Sequence, residues 1–558
     1  MASLISVTTL MRAYSMLYFL FFIEHVLTCD YVPPLEENVY IAKTEYPVNY
    51  KSASSNQGWD WIRIQTVYDS SIEKLSVYKR GILMEIVASA KHYFETTLKV
   101  QRLRSLQLIP RCRNGRGLVY PWGHVCIIDC EKRCGEIIAP PSASYFSHCH
   151  CFFGQCPTQG EYGGRLRNVD FILFVSVRKG FCRESTLAYA SHCALDESSN
   201  RPTAGYTNIC LNTFNRITAN KAADLLSTIK HELMHALVFS SSLFPKFVGA
   251  PQSVGDGRVI PGVIERFVRS DWETASGHMR HELYMIVTPK VREEVRRHFN
   301  CSDLEGAELE SQGDSGSSFS HWEERAFEDE IMSPVTTNMD ATSRITLALM
   351  EDSGWYHVDY DKAEKITWGR ELGCNFAMKS CLTWMKSHRK DPIPYCITYG
   401  DSRCSANRFA KLHCNLAEVR KRDIPPEFNY NIEDLYMDKR GDRIYGAGTV
   451  EQADFCPYYM VTDLPSSVNS AFDSRCTLLR NAIHSSYSLE VFSRWSRCFE
   501  VQSASIVTAF FSREYSTKVG CYETLCQNNV LQVRAEESEW YTCNYKGQIV
   551  QIVQVIVE

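Results

Sequence analysis

The stretch His231-Glu232-Leu233-Met234-His235 decides how the rest of the sequence is interpreted. On a helix, His231 and His235 lie one turn apart on the same face, so their two imidazoles can reach one metal ion. Glu232 lies next to these two residues but points slightly away, which suits a base acting on water rather than a third ligand. Apolar residues recur at helical spacing on the other side and predict a buried amphipathic helix. They are Leu226, Ile229, Leu233 and Leu237.

A catalytic zinc site needs a third protein ligand and an open fourth position for water. The common continuation HExxHxxGxxH is absent, because the chain has Val238 and Ser241 at the Gly and His positions. The third ligand must therefore come from farther along the chain. From the residues alone, the candidates are Glu265, His278, His281, His298 and His321.

Length and composition are those of a folded protein with several domains. The chain has 558 residues, of which 44% are hydrophobic and 22% are charged, and this length suggests about three domains. The formal net charge of -5 argues against nucleic acid or an anionic membrane as the main partner.

The 23 cysteines predict an oxidising compartment, because so many thiols persist there as disulfides. Two clusters look superficially like metal sites, namely Cys126 with Cys130 and Cys134, and the run His148-Cys149-His150-Cys151. We interpret both clusters as disulfide-bonded. Without Cys29 an even number of cysteines remains, enough for eleven disulfides. We therefore expect Cys29 to be lost with a signal peptide.

The N-terminal residues fit an export signal. Arg12 precedes the apolar run 16–23 (MLYFLFFI), which is too short to span a bilayer but suits the core of a signal peptide cleaved after Thr28. Residues 547–558 contain regularly spaced glutamines and predict a strand rather than the hydrophobic tail of a lipid-anchor signal. We therefore expect a soluble, secreted chain with no transmembrane span.

The predicted organisation has five sections. Residues 1–28 form the signal peptide, and residues 29–55 form a short, loosely structured lead-in. Residues 56–240 form an N-terminal catalytic subdomain, in which strands and helices alternate up to the HExxH helix. Residues 241–378 form a mixed, mostly helical central section, and residues 379–558 form a β-rich section stapled by disulfides.

The residues around His321 resemble a known family. Ser320-His321-Trp322-Glu323 and Glu330-Ile331-Met332-Ser333-Pro334 resemble the third-ligand and methionine-turn segments of the leishmanolysin family, which are invadolysin-like metzincins. That family interrupts the zinc motif with a long insertion. The resemblance runs from about residue 59 to residue 545. Further similar segments are 182–210, 299–310, 347–356 and 368–374.

The resemblance implies an α+β fold whose metzincin-type catalytic module sets a twisted sheet beside the active-site helix. It makes His321 the third ligand of one zinc ion per chain, beside His231 and His235, and places Met332 in the methionine turn. It also implies a secreted zinc metalloendopeptidase that acts on protein or peptide substrates outside the cell. Three neutral imidazoles would let zinc lower the pKa of water from about 15.7 to about 7, and Glu232 would take the proton as the water attacks the peptide carbonyl.

Three further expectations follow from the resemblance. In related metzincins an extended substrate pairs with an edge strand, for which residues 171–177 (FILFVSV) are the candidate here. The family has Gly where this chain has Val238, and that Gly ends the helix in a conformation costly for a β-branched residue. Its proenzymes carry Cys followed closely by His and Asp, whereas this chain has only Cys29-Asp30, so Cys29 is either lost or a short latch. These departures define the alternative function, a catalytically inactive extracellular binding protein.

Overall fold

The computed structural model describes residues 31–551 apart from gaps. The gaps of five residues or more are 48–57, 139–145, 152–163, 217–221, 336–340, 419–423, 438–442, 465–471 and 482–488. The predicted signal peptide, its cleavage site and Cys29 therefore lie outside the described residues. So do the side chains of Cys130 and of residues 148–151.

The chain divides into two compact units. The first contains Val26–Ser270 and Arg280–Met378, and the second contains Asp271–Met279 and Lys379–Glu558. Residues 56–240 and most of residues 241–378, which the sequence predicts as separate sections, therefore belong to one unit.

A seven-stranded sheet forms the framework of the first unit. Its strands in chain order are β1 (Tyr40–Glu45), β2 (Ile64–Tyr68), β3 (Ser105–Leu108), β4 (Leu166–Arg167), β5 (Phe171–Arg178), β6 (Ala188–Asp196) and β7 (Pro202–Cys210). They lie in the spatial order β4-β3-β1-β6-β7-β5-β2. Strand β5 runs parallel to both neighbours and is buried on both faces, which explains its largely apolar sequence.

Two predictions about strands are wrong. Residues 171–177 do not form an edge strand, because β7 pairs with one side of β5 and β2 pairs with the other. The lead-in at residues 29–55 is not loose throughout, since β1 pairs in parallel with β6 and antiparallel with β3. Ala42 in β1 is fully buried, so this strand is part of the core of the sheet.

Three helices accompany the sheet, namely α1 (Val77–Thr97), α2 (Leu211–Arg216) and α3 (Ala222–Leu237). Helix α3 carries the HExxH stretch and packs on β6 and β7, while α1 packs on α3. The close approach depends on Gly205 in β7, because a Cβ atom there would come within 2.9 Å of the side chains of Ala236 and Phe171. Tight packing on the sheet thus fixes the helix that carries the first two predicted ligands.

The chain after α3 is mixed, and its longest elements are two strands and one helix. A hairpin joins β8 (Ile264–Thr274) to β9 (Gly277–Ile286), and the short strand Ala307–Glu308 adds to β9. The helices are α4 (Pro289–Phe299), α5 (Glu324–Phe327), α6 (Arg344–Asp352) and α7 (Cys374–Met378). Within the described ranges, the helices are too short or too polar for any of them to cross a membrane.

Short strands complete the first unit. Trp59–Trp61, Leu98–Gln101 and His357–Val358 form one small sheet, and Gly117–Tyr120, Gly123–Cys126 and Cys149–Cys151 form another. Two ribbons pair Arg111–Cys112 with Cys130–Glu131 and Arg133–Cys134 with Ile137–Ile138.

The second unit is rich in short strands. It opens with helix α8 (Cys381–Ser387), and strands follow from Ser402 onward. Residues 547–551, the described part of the last predicted strand, are not in a strand. The strands are Ser402–Cys404, Lys411–Cys414, Leu416–Glu418, Ile432–Met437, Arg443–Gly448, Tyr459–Val461, Asp463–Leu464, Phe472–Asp473, Ser496–Glu500, Ala504–Val507, Ser512–Tyr515, Val519–Gln527, Val530–Arg534 and Tyr541–Cys543.

Disulfides staple both units. Cys126 bonds to Cys112 and Cys134 bonds to Cys193, so these two cysteines are disulfide-bonded as predicted. The expectation of eleven disulfides is wrong, because Cys526 and Cys543 are free. The other disulfides among the described residues are Cys182–Cys210, Cys301–Cys374, Cys381–Cys456, Cys396–Cys414, Cys404–Cys498 and Cys476–Cys521.

Candidate metal centre

Three buried histidines bring one ring nitrogen each to a common point. The Nε2 atoms of His231 and His235 are 3.0 Å apart, and each is 3.2 Å from Nε2 of His321. A tetrahedral zinc ion with Zn–N bonds of about 2.0–2.1 Å separates its nitrogen ligands by about 3.3–3.4 Å. Within the described ranges these three residues form the group of His, Cys, Asp or Glu that could hold a metal ion.

The hydrogen bonds of the other ring nitrogens fix the tautomer of two of these histidines. Nδ1 of His231 contacts the carbonyl oxygen of Ile331, and Nδ1 of His235 lies 2.7 Å from the carbonyl oxygen of Phe239. A carbonyl oxygen only accepts, so both Nδ1 atoms must carry the hydrogen. The two Nε2 lone pairs then face each other, an arrangement that a shared cation would stabilise.

Burial favours the neutral form of His231 and His235. It lowers the pKa of His231 to about 4 and lowers the pKa of His235 well below its usual value, where the charges of His231 and His321 add to the effect. A neutral imidazole is the form that binds a metal. The donor set of three imidazole nitrogens, with carbonyl oxygens behind two of the rings, therefore fits zinc.

The end of α3 explains how Val238 replaces the Gly of the family pattern. The backbone N–H groups of Val238 and Phe239 both donate to the carbonyl oxygen of Met234, at 2.8 Å each, so the last turn widens. Val238 is not among the residues with positive φ, and it is fully buried. The helix thus ends without a left-handed residue, and the widened turn brings the Phe239 carbonyl to His235.

His321 reaches the group through contacts between segments distant in the sequence. Its carbonyl oxygen accepts from the backbone N–H of Glu310 at 3.0 Å. The backbone N–H of Trp322 donates to the carbonyl oxygen of Met332 at 3.0 Å, and its indole N–H donates to Oγ1 of Thr346 at 2.9 Å. His321 is therefore held from both sides.

The alternative third ligands lie elsewhere. Glu265 in β8 accepts from the backbone N–H of Gly262 at 3.0 Å, and His298 in α4 has its Nε2 2.7 Å from the carbonyl oxygen of Trp368. His278 is exposed and His281 is buried, and both lie in the hairpin strand β9. None of these four residues belongs to the converging group.

Glu232 and Met332 lie at the centre without joining the group of nitrogens. Glu232 is fully buried on α3, and its carboxylate is outside the group of potential ligands. Burial raises the pKa of Tyr206, and the charges of Tyr31, Glu136 and Glu232 raise it further. Met332 is fully buried in the turn whose preceding residue, Ile331, supplies the carbonyl oxygen for His231.

Tyr31 belongs to the centre although the sequence gives no sign of it. Its ring stacks on the ring of His235, with centroids 4.2 Å apart and planes inclined by 17°. Its hydroxyl donates to Oγ of Ser240, just beyond the end of α3. Tyr31 lies within the predicted lead-in, where neither spacing nor motif singles out an aromatic residue.

A pocket of about 300 Å³ adjoins both ligand-bearing segments. Ser241 follows the end of α3, and Phe319 precedes His321 by two residues. The guanidinium of Arg258 lies over the Phe319 ring, 5.4 Å from its centroid. The lining residues are Ser241, Gly257, Arg258, Ile260, Ile264, Ser318 and Phe319.

Comparison with known proteins identifies the family of the chain. The leishmanolysin family matches residues 148–557. A leishmanolysin-like peptidase of Caenorhabditis briggsae is 33% identical, over 98% of this chain and 89% of that protein. A leishmanolysin-like peptidase of Drosophila melanogaster is 31% identical over 88% and 77%, and the leishmanolysin of Leishmania major is 28% identical over 65% and 51%. The chain therefore belongs to the leishmanolysin family of metallopeptidases.

Proposed function

We propose that the chain is a zinc-dependent endopeptidase that cleaves peptide bonds within proteins. The observation that carries the proposal is the convergence of Nε2 of His231, His235 and His321 at 3.0–3.2 Å. Three protein nitrogens leave a fourth position open, which distinguishes a catalytic zinc site from a closed structural one. The family membership supports the same conclusion.

Each residue of the centre has a defined task in this proposal. Zinc, when bound, supplies a Lewis acid that makes water acidic and polarises the carbonyl of the cleaved bond. His231, His235 and His321 hold the ion, and the Ile331 and Phe239 carbonyls keep two of the rings in the binding orientation. Glu232 takes a proton from water as it attacks and passes the proton to the departing amine.

The substrates proposed are proteins or peptides outside the cell. The pocket beside the ends of the two ligand segments is lined by the Phe319 ring, two isoleucines and polar groups, a mixture suited to a side chain of a bound peptide. Export of the chain is supported by the eight disulfides among the described residues, because disulfides persist in oxidising compartments.

The test compares Glu232→Gln with the wild-type chain on denatured casein, with and without a chelator. We expect the chelator to stop cleavage by the wild type. Glu232→Gln should lower turnover by at least about 100-fold, since a general base contributes about 10²–10⁴-fold. Its zinc content should stay near one ion per chain, because the carboxylate is not a ligand.

Glu265→Gln is the matched control, since Glu265 lies outside the converging group and should leave turnover unchanged. Loss of zinc from a folded Glu232→Gln chain would show that Glu232 is a ligand. A wild-type chain that binds zinc but cleaves nothing would favour the inactive binding protein instead.

A further inference from the structure

Glu330 is a buried carboxylate outside the group of three ligand nitrogens, and both of its oxygens accept hydrogen bonds. It is 1% exposed. Its Oε1 accepts from the backbone N–H of Ser343 at 3.1 Å, from the Ser343 hydroxyl at 2.7 Å and from the Thr346 hydroxyl at 2.6 Å. Its Oε2 accepts from the backbone N–H of Met332 at 2.6 Å.

These four bonds lead to two of the ligand segments. The Met332 N–H belongs to the same peptide group as the Ile331 carbonyl, whose oxygen contacts Nδ1 of His231. Because that peptide is planar, holding its N–H also holds its carbonyl oxygen. On the other side, the Thr346 hydroxyl accepts from the indole of Trp322, the residue next to His321.

We propose that Glu330 is a positioning residue for the metal centre, which holds His231 through the Ile331–Met332 peptide and the His321 segment through Thr346 and Trp322. This inference rests on the proposed function, in which these histidines bind zinc. It assigns to the methionine turn a second task, since the turn orients a ligand from α3 by its backbone as well as placing Met332.

The contacts require a carboxylate of this length. An amide in its place has one accepting oxygen, so its NH₂ group would face either the Met332 N–H or the three donors around Oε1. Either orientation sets donor against donor among buried residues, which is costly and should displace the turn. Aspartate is one methylene shorter and cannot reach both sets of donors.

Asp329 provides a matched control in the neighbouring position. It is also buried, and its Oδ2 accepts from the backbone N–H of Thr367 at 2.6 Å, from the Thr367 hydroxyl at 2.9 Å and from the backbone N–H of Trp368 at 3.1 Å. Its side-chain bonds thus lead to the segment 367–368 and not to a ligand. Asp329→Asn makes the same change from acid to amide in a neighbouring buried residue, and it should leave the ligands unaffected.

The experiment measures zinc affinity by competition with a chelator, together with the absorption spectrum of the cobalt(II)-substituted protein. Glu330→Gln should lower zinc affinity by about 10–100-fold, the usual effect of losing a partner behind a ligand, and should change the cobalt spectrum. Asp329→Asn should keep zinc affinity within about threefold of the wild type and leave the spectrum unchanged, a difference that a general loss of stability does not produce.

The inference is overturned if Glu330→Gln binds zinc as tightly as the wild type does. It is also overturned if Asp329→Asn lowers zinc affinity as much as Glu330→Gln. Should Glu330→Gln fail to fold, Thr346→Val removes one donor and the link to Trp322, and unchanged zinc affinity in that variant also contradicts the inference. His231→Ala separates this failure from a failure of the proposed function. If His231→Ala leaves zinc affinity unchanged, the three histidines are not the zinc site and the proposed function fails.

Discussion

His231 and His235 reach the metal centre by a different physical route from His321. The first two are neighbours on one helix, where a spacing of four residues places their side chains on the same face, and long-range contacts are needed only to orient the rings. His321 depends on backbone hydrogen bonds to Glu310 and, through Trp322, to Met332. The site therefore has a helical half, His231 and His235, whose spacing is set within α3. Its other half, His321, is in place only when the whole unit is folded. Changes far from the centre should therefore reach it mainly through His321.

The largest expected effect tests whether His321 binds the same zinc ion as the two helical histidines. His321→Ala and His235→Ala should each lower zinc affinity by several orders of magnitude and abolish proteolysis, because each removes one of three ligands. The measurement is zinc content after dialysis, followed by the cleavage assay. His278→Ala is the control, since His278 is exposed and outside the group. If the His321→Ala variant still bound zinc tightly, His231 and His235 would be ligands and His321 would not.

An intermediate effect concerns the segment that carries His321. The Cys301–Cys374 disulfide closes a 73-residue loop containing that histidine. Replacing both cysteines with serine should lower the free energy of unfolding by about 2–5 kcal/mol, as loss of a native disulfide typically does. Zinc affinity should fall as well, because the His321 segment gains freedom. Thermal unfolding and chelator competition measure the two quantities.

The control for that variant removes the Cys396–Cys414 disulfide, which lies in the second unit. It should destabilise that unit and leave zinc affinity unchanged. Equal losses of zinc affinity in the two variants would mean that the dependence on distant contacts is not specific to the segment of His321.

The smallest effect tests how local the helical half is. Tyr31→Phe keeps the ring stacked on His235 but removes the hydroxyl bond to Ser240, so we expect a loss of about 1 kcal/mol in the free energy of unfolding. Zinc affinity should stay within about threefold of the wild type. Tyr399→Phe, at an exposed tyrosine, is the control and should change neither quantity. A loss of zinc affinity as large as that of His235→Ala would show that the helical ligands also depend on a distant segment.

The same distinction explains what could be predicted from the sequence. Local periodicity identifies α3 and the pair His231 and His235, because a helix converts sequence spacing directly into side-chain position. His321 lies 86 residues beyond His235, and nothing local separates it from His278, His281 or His298. The resemblance of its flanking residues to the leishmanolysin family selects it, and in the structure its Nε2 lies 3.2 Å from Nε2 of His231 and of His235.

The wrong predictions concern pairing partners, which periodicity does not reveal. Strand β1 (YIAKTE) is short and polar enough to pass for a loop, and its partners in β3 and β6 lie far along the chain. The composition of β5 does not show whether the strand lies inside the sheet or at its edge. An apolar sequence indicates that both faces of the sheet are covered, but it does not show whether a strand pairs on each side. An even number of cysteines does not ensure that all of them pair. Cys526 and Cys543 lie in the two strands that flank the strand of Leu531, both opposite that residue, so their Cα atoms are about 10 Å apart.

The position of β1 also sets the order of events during synthesis. Tyr40 is opposite Ala194 in the finished sheet, so its partner emerges 154 residues later. At about 5–20 residues per second, the ribosome needs about 8–30 s to supply it. Until β4 is made, β1 and β3 can form only a two-stranded ribbon, which is marginally stable in water, and β4 then adds only two residues beside β3. The sheet is therefore completed only once β6 and β7 have been made, and until then the nascent chain exposes unpaired strand edges that other chains can join.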